Sequence, residues 1–177
     1  MTMYADPGAW HAFMEKLARA IAGYLNAQIA AGVQAVQLFD SWVGCLSPDD
    51  YREFVMPHVG YIFAHLDARV PSIHFGTGTS TLLPLMHEAG GDVLGIDWRV
   101  DMAEARARLG RETVVQGNLD PVALFAAPQE MKKRALAVLH KAGGSTGHIF
   151  NLGHGILPRT PEDHVTALID FVHEHRS

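Results

Sequence analysis

The segment Ile149-Phe150-Asn151-Leu152-Gly153-His154-Gly155-Ile156 contains the change from strand to helix that recurs through this chain. Its apolar opening predicts a buried strand, and Thr160-Pro161-Glu162-Asp163 beyond it predicts a helix start. His154 therefore falls on a strand-to-helix turn between two glycines. Because glycine has no Cβ, backbone and ligand can approach closely there. The pattern predicts a histidine that is presented to a ligand, and a purely structural turn histidine is the alternative.

Four upstream segments show the same change, so the whole chain predicts five strand-helix units. Short apolar strands separated by helices indicate a parallel sheet that is buried on both faces. Right-handed crossovers bring the C-terminal ends of such strands to one edge, where α/β folds bind ligands. The predicted strands are residues 35–39, 71–75, 92–97, 113–116 and 148–152. The polar side chains expected at their C-terminal edge are Asp40, Ser41, Thr77, Asp97, Asn118 and His154.

Proline, glycine and acidic caps mark where the intervening helices begin and end. Asp6-Pro7 starts a long amphipathic helix that Gly32 ends, and Pro57 is expected to kink or divide the next helix. Asp101 caps a later helix, and Gly143-Gly144 precedes the fifth strand. These signals place every predicted strand between two helices.

Several residues are interpreted as structural. The three tryptophans are expected in the core or in a cleft wall. Cys45 has no base spaced to activate it, so we expect a small buried side chain. A solvated helical face is predicted for Arg106, Arg108 and Arg111.

Composition argues against several classes of protein. A formal net charge of -5 and the lack of a Lys/Arg cluster argue against a nucleic-acid partner. No apolar run is long enough to span a membrane, and the opening residues lack the basic and apolar regions of a signal peptide. The single cysteine, Cys45, excludes an internal disulfide and a cysteine-based zinc cluster. Together these features favour a reducing, cytoplasmic setting.

The length of the chain limits the choice of fold. At 177 residues, with no linker, repeat or low-complexity tract, we predict a single domain over residues 1–177. A closed eight-unit barrel needs about 250 residues. Five units therefore form either an open doubly wound sheet or a part of a barrel.

Four motifs discriminate between these folds, and in their order and spacing they resemble the uroporphyrinogen decarboxylase family. They are Leu38-Phe39-Asp40-Ser41-Trp42-Val43-Gly44, Leu94-Gly95-Ile96-Asp97-Trp98, Gln116-Gly117-Asn118-Leu119-Asp120-Pro121 and Asn151-Leu152-Gly153-His154-Gly155-Ile156. The resemblance covers essentially all 177 residues and corresponds to the C-terminal half of the family's sequence. It implies a partial TIM barrel, the last five strands of a (β/α)8 barrel.

The resemblance also implies a function, that of a lyase in haem and porphyrin biosynthesis. Such an enzyme removes the four acetate carboxyl groups of uroporphyrinogen III, giving coproporphyrinogen III, with no metal or organic cofactor. Protonation of a pyrrole carbon makes the ring its own electron sink, so the protein supplies a proton, anion-binding groups and a dry cleft. By this resemblance, Ser41 hydrogen-bonds the substrate, Phe39 lines the cleft and His154 contacts a carboxylate arm. Asp97 and Asn118 are expected to support them.

Other parts of the family's site do not match this chain. The pyrrole-binding aspartate, an arginine pair and a tyrosine belong to the other half of the family's sequence, so we expect the isolated chain to have little or no activity. The cations expected near the substrate are Arg99, Arg159, His74 and His154. Family members are homodimers, and a partial barrel exposes strand edges and apolar surface. We therefore expect self-association or association with a separate N-terminal half.

Three other interpretations remain open. Gly76 and Gly78 follow a strand and could hold a phosphate in a flavodoxin-like nucleotide binder, although the segment matches neither the dinucleotide fingerprint nor the P-loop. Corrinoid-dependent methyltransferases share the barrel and bind zinc through histidine and cysteine, but Cys45 has no His-x-Cys spacing near it. The third interpretation is a domain without activity that persists through association.

Overall fold

The computed structural model describes residues 2–143 and 147–175. Five strands alternate with helices and form one open parallel sheet in the order β1-β2-β3-β4-β5. They agree with the predicted strands to within a few residues, and the prediction of an α/β fold with five parallel strand-helix units is confirmed. The strands are β1 Val36–Asp40, β2 Ser72–Gly76, β3 Val93–Gly95, β4 Val114–Leu119 and β5 His148–Leu152.

The order of the strands decides between the two folds that the length left open. In a doubly wound sheet the strand order reverses at a switch point, as in the flavodoxin-like order 2-1-3-4-5. Here each described strand lies beside its neighbours in the sequence. Successive units of a (β/α)8 barrel have this order. The flavodoxin-like interpretation is therefore not favoured.

The helices begin and end largely where the sequence signals place them. Asp6 and Asp101 cap the helices Pro7–Ala30 and Met102–Leu109 through their carboxylates. The helices Pro48–Phe54 and Met56–Ala64 are separated at Val55, which confirms the division expected from Pro57. Gly143 ends the helix Pro128–Ala142 in the left-handed conformation, whereas Gly144 lies outside the described residues. The helices are α1 Thr2–Ala5, α2 Pro7–Ala30, α3 Pro48–Phe54, α4 Met56–Ala64, α5 Leu83–Ala89, α6 Met102–Leu109, α7 Pro128–Ala142 and α8 Glu162–Glu174, with short 3-10 segments at Val43–Cys45 and Pro121–Phe125.

None of the described helices combines the length and the apolar character that a membrane crossing requires. The chain consists of two compact units, Met1–Leu94 and Gly95–Ser177, and each has a core of its own. The single domain predicted over residues 1–177 stays a prediction.

The core of the first unit forms where α2 packs on α4 and β1. Buried residues of α2 recur at intervals of four and three positions, which keeps them on one face of the helix. This face meets Val36 of β1 and Ile62 of α4. The buried residues of α2 are Ala18, Ala22, Leu25 and Ile29.

The second unit packs α7 and α8 against one face of β4 and β5. Phe150 and Leu152 of β5 contact this core, whereas Ile149 is 43% exposed and Asn151 is exposed. The prediction that the strands are buried on both faces is therefore wrong for β5. Its alternate side chains lie on opposite faces, and the core formed by the described helices of this unit covers only one of them. The buried core residues include Leu119, Leu124, Met131, Ala135, Leu168 and Phe171.

The prediction of a solvated face on α6 is wrong for Arg106, because this residue is only 8% exposed. Its Nε donates to the carbonyl of Ala142 at 3.0 Å. Its Nη1 donates to the carbonyls of Arg111 at 3.1 Å and Thr113 at 3.0 Å. The guanidinium thus satisfies the C-terminus of α7 and the connection from α6 to β4, a role that five planar donors can fill.

Replacing Arg106 with methionine is expected to lower the free energy of unfolding by about 2–4 kcal/mol, because the buried carbonyls would lose their donors. Arg108 provides a matched control on the same helix, since it pairs with Glu104 at the surface. Arg108→Met should cost less than about 1 kcal/mol. Denaturant unfolding of the two variants measures the difference, and equal losses would contradict the role given to Arg106.

Candidate functional site

In the first unit, two predicted site residues lie at the C-terminal end of β1. Phe39 is 66% exposed, and its ring contacts Phe75 edge-on at 5.9 Å between ring centres. The two are partners in the register of β1 and β2, so they lie on the same face of the sheet. Ser41 follows the strand directly and is half-buried. Phe39 can therefore form an apolar wall beside the hydroxyl group of Ser41. The substrate-binding roles of these two residues stay predictions.

Asp40, between these two residues, lines an apolar cavity of about 370 Å³ bounded by α2, β1 and α4. Burial raises the pKa of its carboxyl to about 6. Tyr51 is fully buried, and its hydroxyl has no hydrogen-bond partner among the described residues. Burial raises the pKa of Tyr51 and the charge of Asp40 raises it further. Asp40 therefore carries a proton more readily than an exposed carboxyl, a property that its place in the sequence did not reveal.

Asp40→Asn should remove a pH dependence of stability. The folded-state pKa of about 6 lies above the unfolded value of about 3.9. Between these values the folded state holds the proton more tightly, so the contribution of Asp40 to the unfolding free energy falls as pH rises. We expect the variant to gain roughly 2 kcal/mol relative to the wild type from pH 4 to pH 7.

Denaturant unfolding of both proteins across this range measures that gain. Histidine titrations are common to the two proteins and cancel in the difference. Parallel stability curves would contradict the raised pKa of Asp40.

The turn after β1 corrects one expectation about burial, because Cys45 is exposed rather than buried. Trp42 is 88% exposed and lines the cavity beside Asp40, so of the two places expected for it, core or cleft wall, it takes the second. Between them, Val43 is buried and Gly44 lies against the β2 end, where a Cβ would come within 2.6 Å of the Gly78 carbonyl. The turn therefore packs through Val43 and Gly44, whereas the side chains of Trp42 and Cys45 remain exposed.

In the second unit, the residues after β3 form a tightly held turn. The side-chain amide of Asn118, at the end of β4, donates to the carbonyls of Asp97 at 2.9 Å and Val100 at 2.7 Å. Asp97 is fully buried, and its Oδ1 accepts the backbone N–H of Arg99 at 3.1 Å. Both ends of the turn are therefore fixed by the neighbouring strand, which agrees with a supporting role for Asn118 and Asp97.

The same turn contacts the segment that carries His154. The ring of Trp98 meets the imidazole of His154 edge-on, with 5.7 Å between ring centres. Gly153 packs so closely on the turn that a Cβ would lie 2.8 Å from the Cα of Trp98. A Cβ on Gly155 would meet no atom within 4 Å. Packing thus requires a glycine at position 153 but not at position 155. The close approach at Gly153 lets the exposed His154 contact Trp98.

The predicted cations differ in their surroundings. Arg99 donates from Nη1 to Oδ2 of Asp97 at 3.0 Å, and its guanidinium lies 4.0 Å above the centre of the Trp98 ring. Arg159 is exposed and has a φ of 68°. His74 is completely buried, and its Nδ1 donates to the carbonyls of Met86 and Gly90. Burial lowers its pKa to about 4, so His74 is neutral near pH 7 and the prediction of a substrate-binding cation there is wrong.

The structure thus groups the predicted residues by unit. Asp97, Asn118 and His154 are connected through Trp98 in the second unit, and Phe39 and Ser41 are neighbours in the first. Sequence reasoning overlooked the joint contact of Arg99 and His154 with Trp98. The adjacent Trp98-Arg99 pair after a strand was its only sequence signal.

Gly153→Ala is expected to destabilise the second unit by about 1–3 kcal/mol, because the new Cβ would overlap the Trp98 backbone. Gly155→Ala is the matched control and should change stability by less than about 0.5 kcal/mol. Thermal unfolding followed by tryptophan fluorescence measures both. Equal stability of the two variants would show that the turn and the His154 segment are not in close contact.

Comparisons with known proteins agree with this arrangement of motifs. The family model described as uroporphyrinogen decarboxylase (URO-D) matches residues 1–175. The chain is 57% identical to uroporphyrinogen decarboxylase from Sorangium cellulosum and 52% identical to that from Nocardia farcinica, with 97% of the chain covered in each case. It spans about half the length of these curated relatives, 49% and 50% respectively.

A solved structure shares the fold. A methyltransferase from Methanosarcina mazei matches 90% of the chain and 48% of its own length, with a TM-score of 0.79 and 21% identity. This likeness concerns the fold alone. Within residues 2–143 and 147–175, no three His, Cys, Asp or Glu side chains are grouped to hold a metal ion, and the zinc methyltransferase interpretation is not favoured.

Proposed function

We propose, from the premise that the chain belongs to the uroporphyrinogen decarboxylase family, that it takes part in converting uroporphyrinogen III to coproporphyrinogen III. The reaction removes four acetate carboxyl groups as carbon dioxide. The observation that supports this most directly is the matched family motif around His154, which presents an exposed imidazole from a strand end against Trp98.

The chemistry needs a positioned proton and a place for carboxylates. Protonating a pyrrole carbon beside an acetate arm lets the ring accept the electron pair of the breaking C–C bond. Carbon dioxide then leaves, and a second proton adds to the methylene carbon to form a methyl group. The ring carbon then releases the first proton, which restores the pyrrole. His154 can pair with a carboxylate when protonated or relay a proton when neutral. Both roles require the exposed position that the structure gives it.

The side chains at the end of β1 complete the proposal. The Ser41 hydroxyl would hydrogen-bond the substrate, and the exposed ring of Phe39 would contact the apolar part of the tetrapyrrole. Asp97 and Asn118 would act on the substrate only indirectly, by fixing the turn that carries Trp98. Asn118 lies inside the protein and is 6% exposed, so direct contact with a large substrate is not part of its role.

We also propose how this chain associates, in which cellular setting it works and how active it is alone. Exposed apolar side chains at Phe39 and Trp42 favour association, either with itself or with a further polypeptide of the same family. The single free cysteine agrees with a reducing, cytoplasmic setting. Turnover by the 177 residues alone is expected to be low.

His154→Ala should lower decarboxylation of uroporphyrinogen III by about 100-fold, the usual effect of removing a proton-transfer or charge-pairing group. The matched control is His173→Ala, an exposed histidine on α8, which should leave the rate unchanged. The rate is followed without oxygen by chromatography of the products after oxidation. The chain is assayed alone and together with the remaining half of a relative's sequence.

Ser41 is tested in the same assay. Ser41→Thr keeps the hydroxyl and should keep the rate, whereas Ser41→Ala should lower it by about tenfold, as for a lost hydrogen bond. If neither preparation of the wild type released carbon dioxide, or if His154→Ala were as active as His173→Ala, the proposal would fail.

A further inference from the structure

We propose that Arg99 binds a carboxylate group of the substrate beside His154. This inference rests on the function proposed above and adds a residue to its site. Two side chains that can carry positive charge contact one indole ring. The guanidinium carbon of Arg99 lies 4.0 Å from the centre of the Trp98 ring, and the imidazole of His154 meets the same ring at 5.7 Å. One carboxylate-bearing ligand can therefore approach both of them.

Arg99 is held in place before any ligand arrives. Asp97 accepts the backbone N–H of Arg99 through Oδ1 at 3.1 Å and the Nη1 of its side chain through Oδ2 at 3.0 Å. The turn itself is fixed by the two hydrogen bonds from Asn118. A cation that is already ordered loses little conformational freedom on binding, which favours affinity.

The guanidinium also remains available. The side chain of Arg99 is 53% exposed, whereas the side chain of Asp97 is completely buried beneath it. A guanidinium has five N–H donors in a planar fork that matches a carboxylate. The ion pair with Asp97 reduces the long-range attraction of Arg99 for an anion, but it leaves the outward donors in contact with solvent. We therefore expect a contribution through short-range hydrogen bonds.

The chain contains a second arginine in the same local arrangement. The backbone N–H of Arg69 donates to Asp67 Oδ1 at 3.0 Å, and its Nε donates to Asp67 Oδ2 at 2.8 Å. The segment from Asp67 to Arg69 lies before the N-terminal end of β2. Arg99, in contrast, lies after the C-terminal end of β3. No ring contact of Arg69 is found among the described residues. Arg69 is therefore a matched control, which shares the motif without the position beside Trp98 and His154.

The experiment measures the dissociation constant of uroporphyrinogen III by calorimetry without oxygen, and the KM where turnover is present. Arg99→Met should raise both about tenfold, with kcat changed less than about threefold. Arg99→Lys should bind with intermediate affinity, because lysine keeps the charge without the planar fork. Arg69→Met should bind as the wild type does.

A double variant separates binding from a merely structural role. The double variant Asp97→Asn with Arg99→Met removes the charge of Asp97 together with the cation that balances it. Affinity should stay as weak as in Arg99→Met alone if Arg99 contacts the substrate. Recovery of wild-type affinity would show that Arg99 only balances the charge of Asp97, and it would overturn the proposal, as would wild-type affinity in Arg99→Met.

The two proposals fail in different ways. Binding by the wild type without turnover, even together with the remaining half of a relative's sequence, would contradict the decarboxylase function. The comparison of Arg99 with Arg69 would still decide the role of Arg99. Absence of any binding by the wild type would overturn both proposals.

Discussion

The arrangement of the second unit depends on the turn from Asp97 to Val100 and on what holds it. The Asn118 side chain bonds both ends of this turn, and the buried carboxylate of Asp97 bonds its middle. A glycine at position 153 then lets the next strand end pass directly against the backbone of Trp98. Two strand ends are thereby fixed to each other through polar and steric contacts. Trp98, Arg99 and His154 are presented together because the backbone beneath them has little freedom.

Buried polar groups have different consequences elsewhere in the chain. Arg106 is buried but bonded to three backbone carbonyls, so it serves as a structural connection within the second unit. His74 is buried against carbonyls and stays neutral near pH 7. Asp40 is half-buried beside an apolar cavity, and this partial burial raises its pKa to about 6. In each case the local surroundings, and not the residue type alone, decide whether the side chain is charged and whether it can contact a ligand.

Much of the fold followed from local patterns in the sequence. Apolar strands, acidic caps at Asp6 and Asp101 and the position of Pro57 gave the elements and most of their limits, since these signals act over a few residues. Arg106 was predicted to be exposed and Cys45 to be buried, and both predictions were wrong. A helical period shows which face a residue occupies, but it does not show which carbonyls or loops lie opposite that face.

The sequence by itself determined the succession of five strand-helix units and the family motifs, including a histidine between glycines after the last strand. Their relation to the uroporphyrinogen decarboxylase family could be inferred from these motifs, because order and spacing are properties of the chain. Only the tertiary structure decided that strand order follows sequence order, that Gly153 and not Gly155 is a packing requirement, and that Arg99 shares a ring with His154. The physical reason is that these contacts join residues far apart in the chain, where local propensity has no influence.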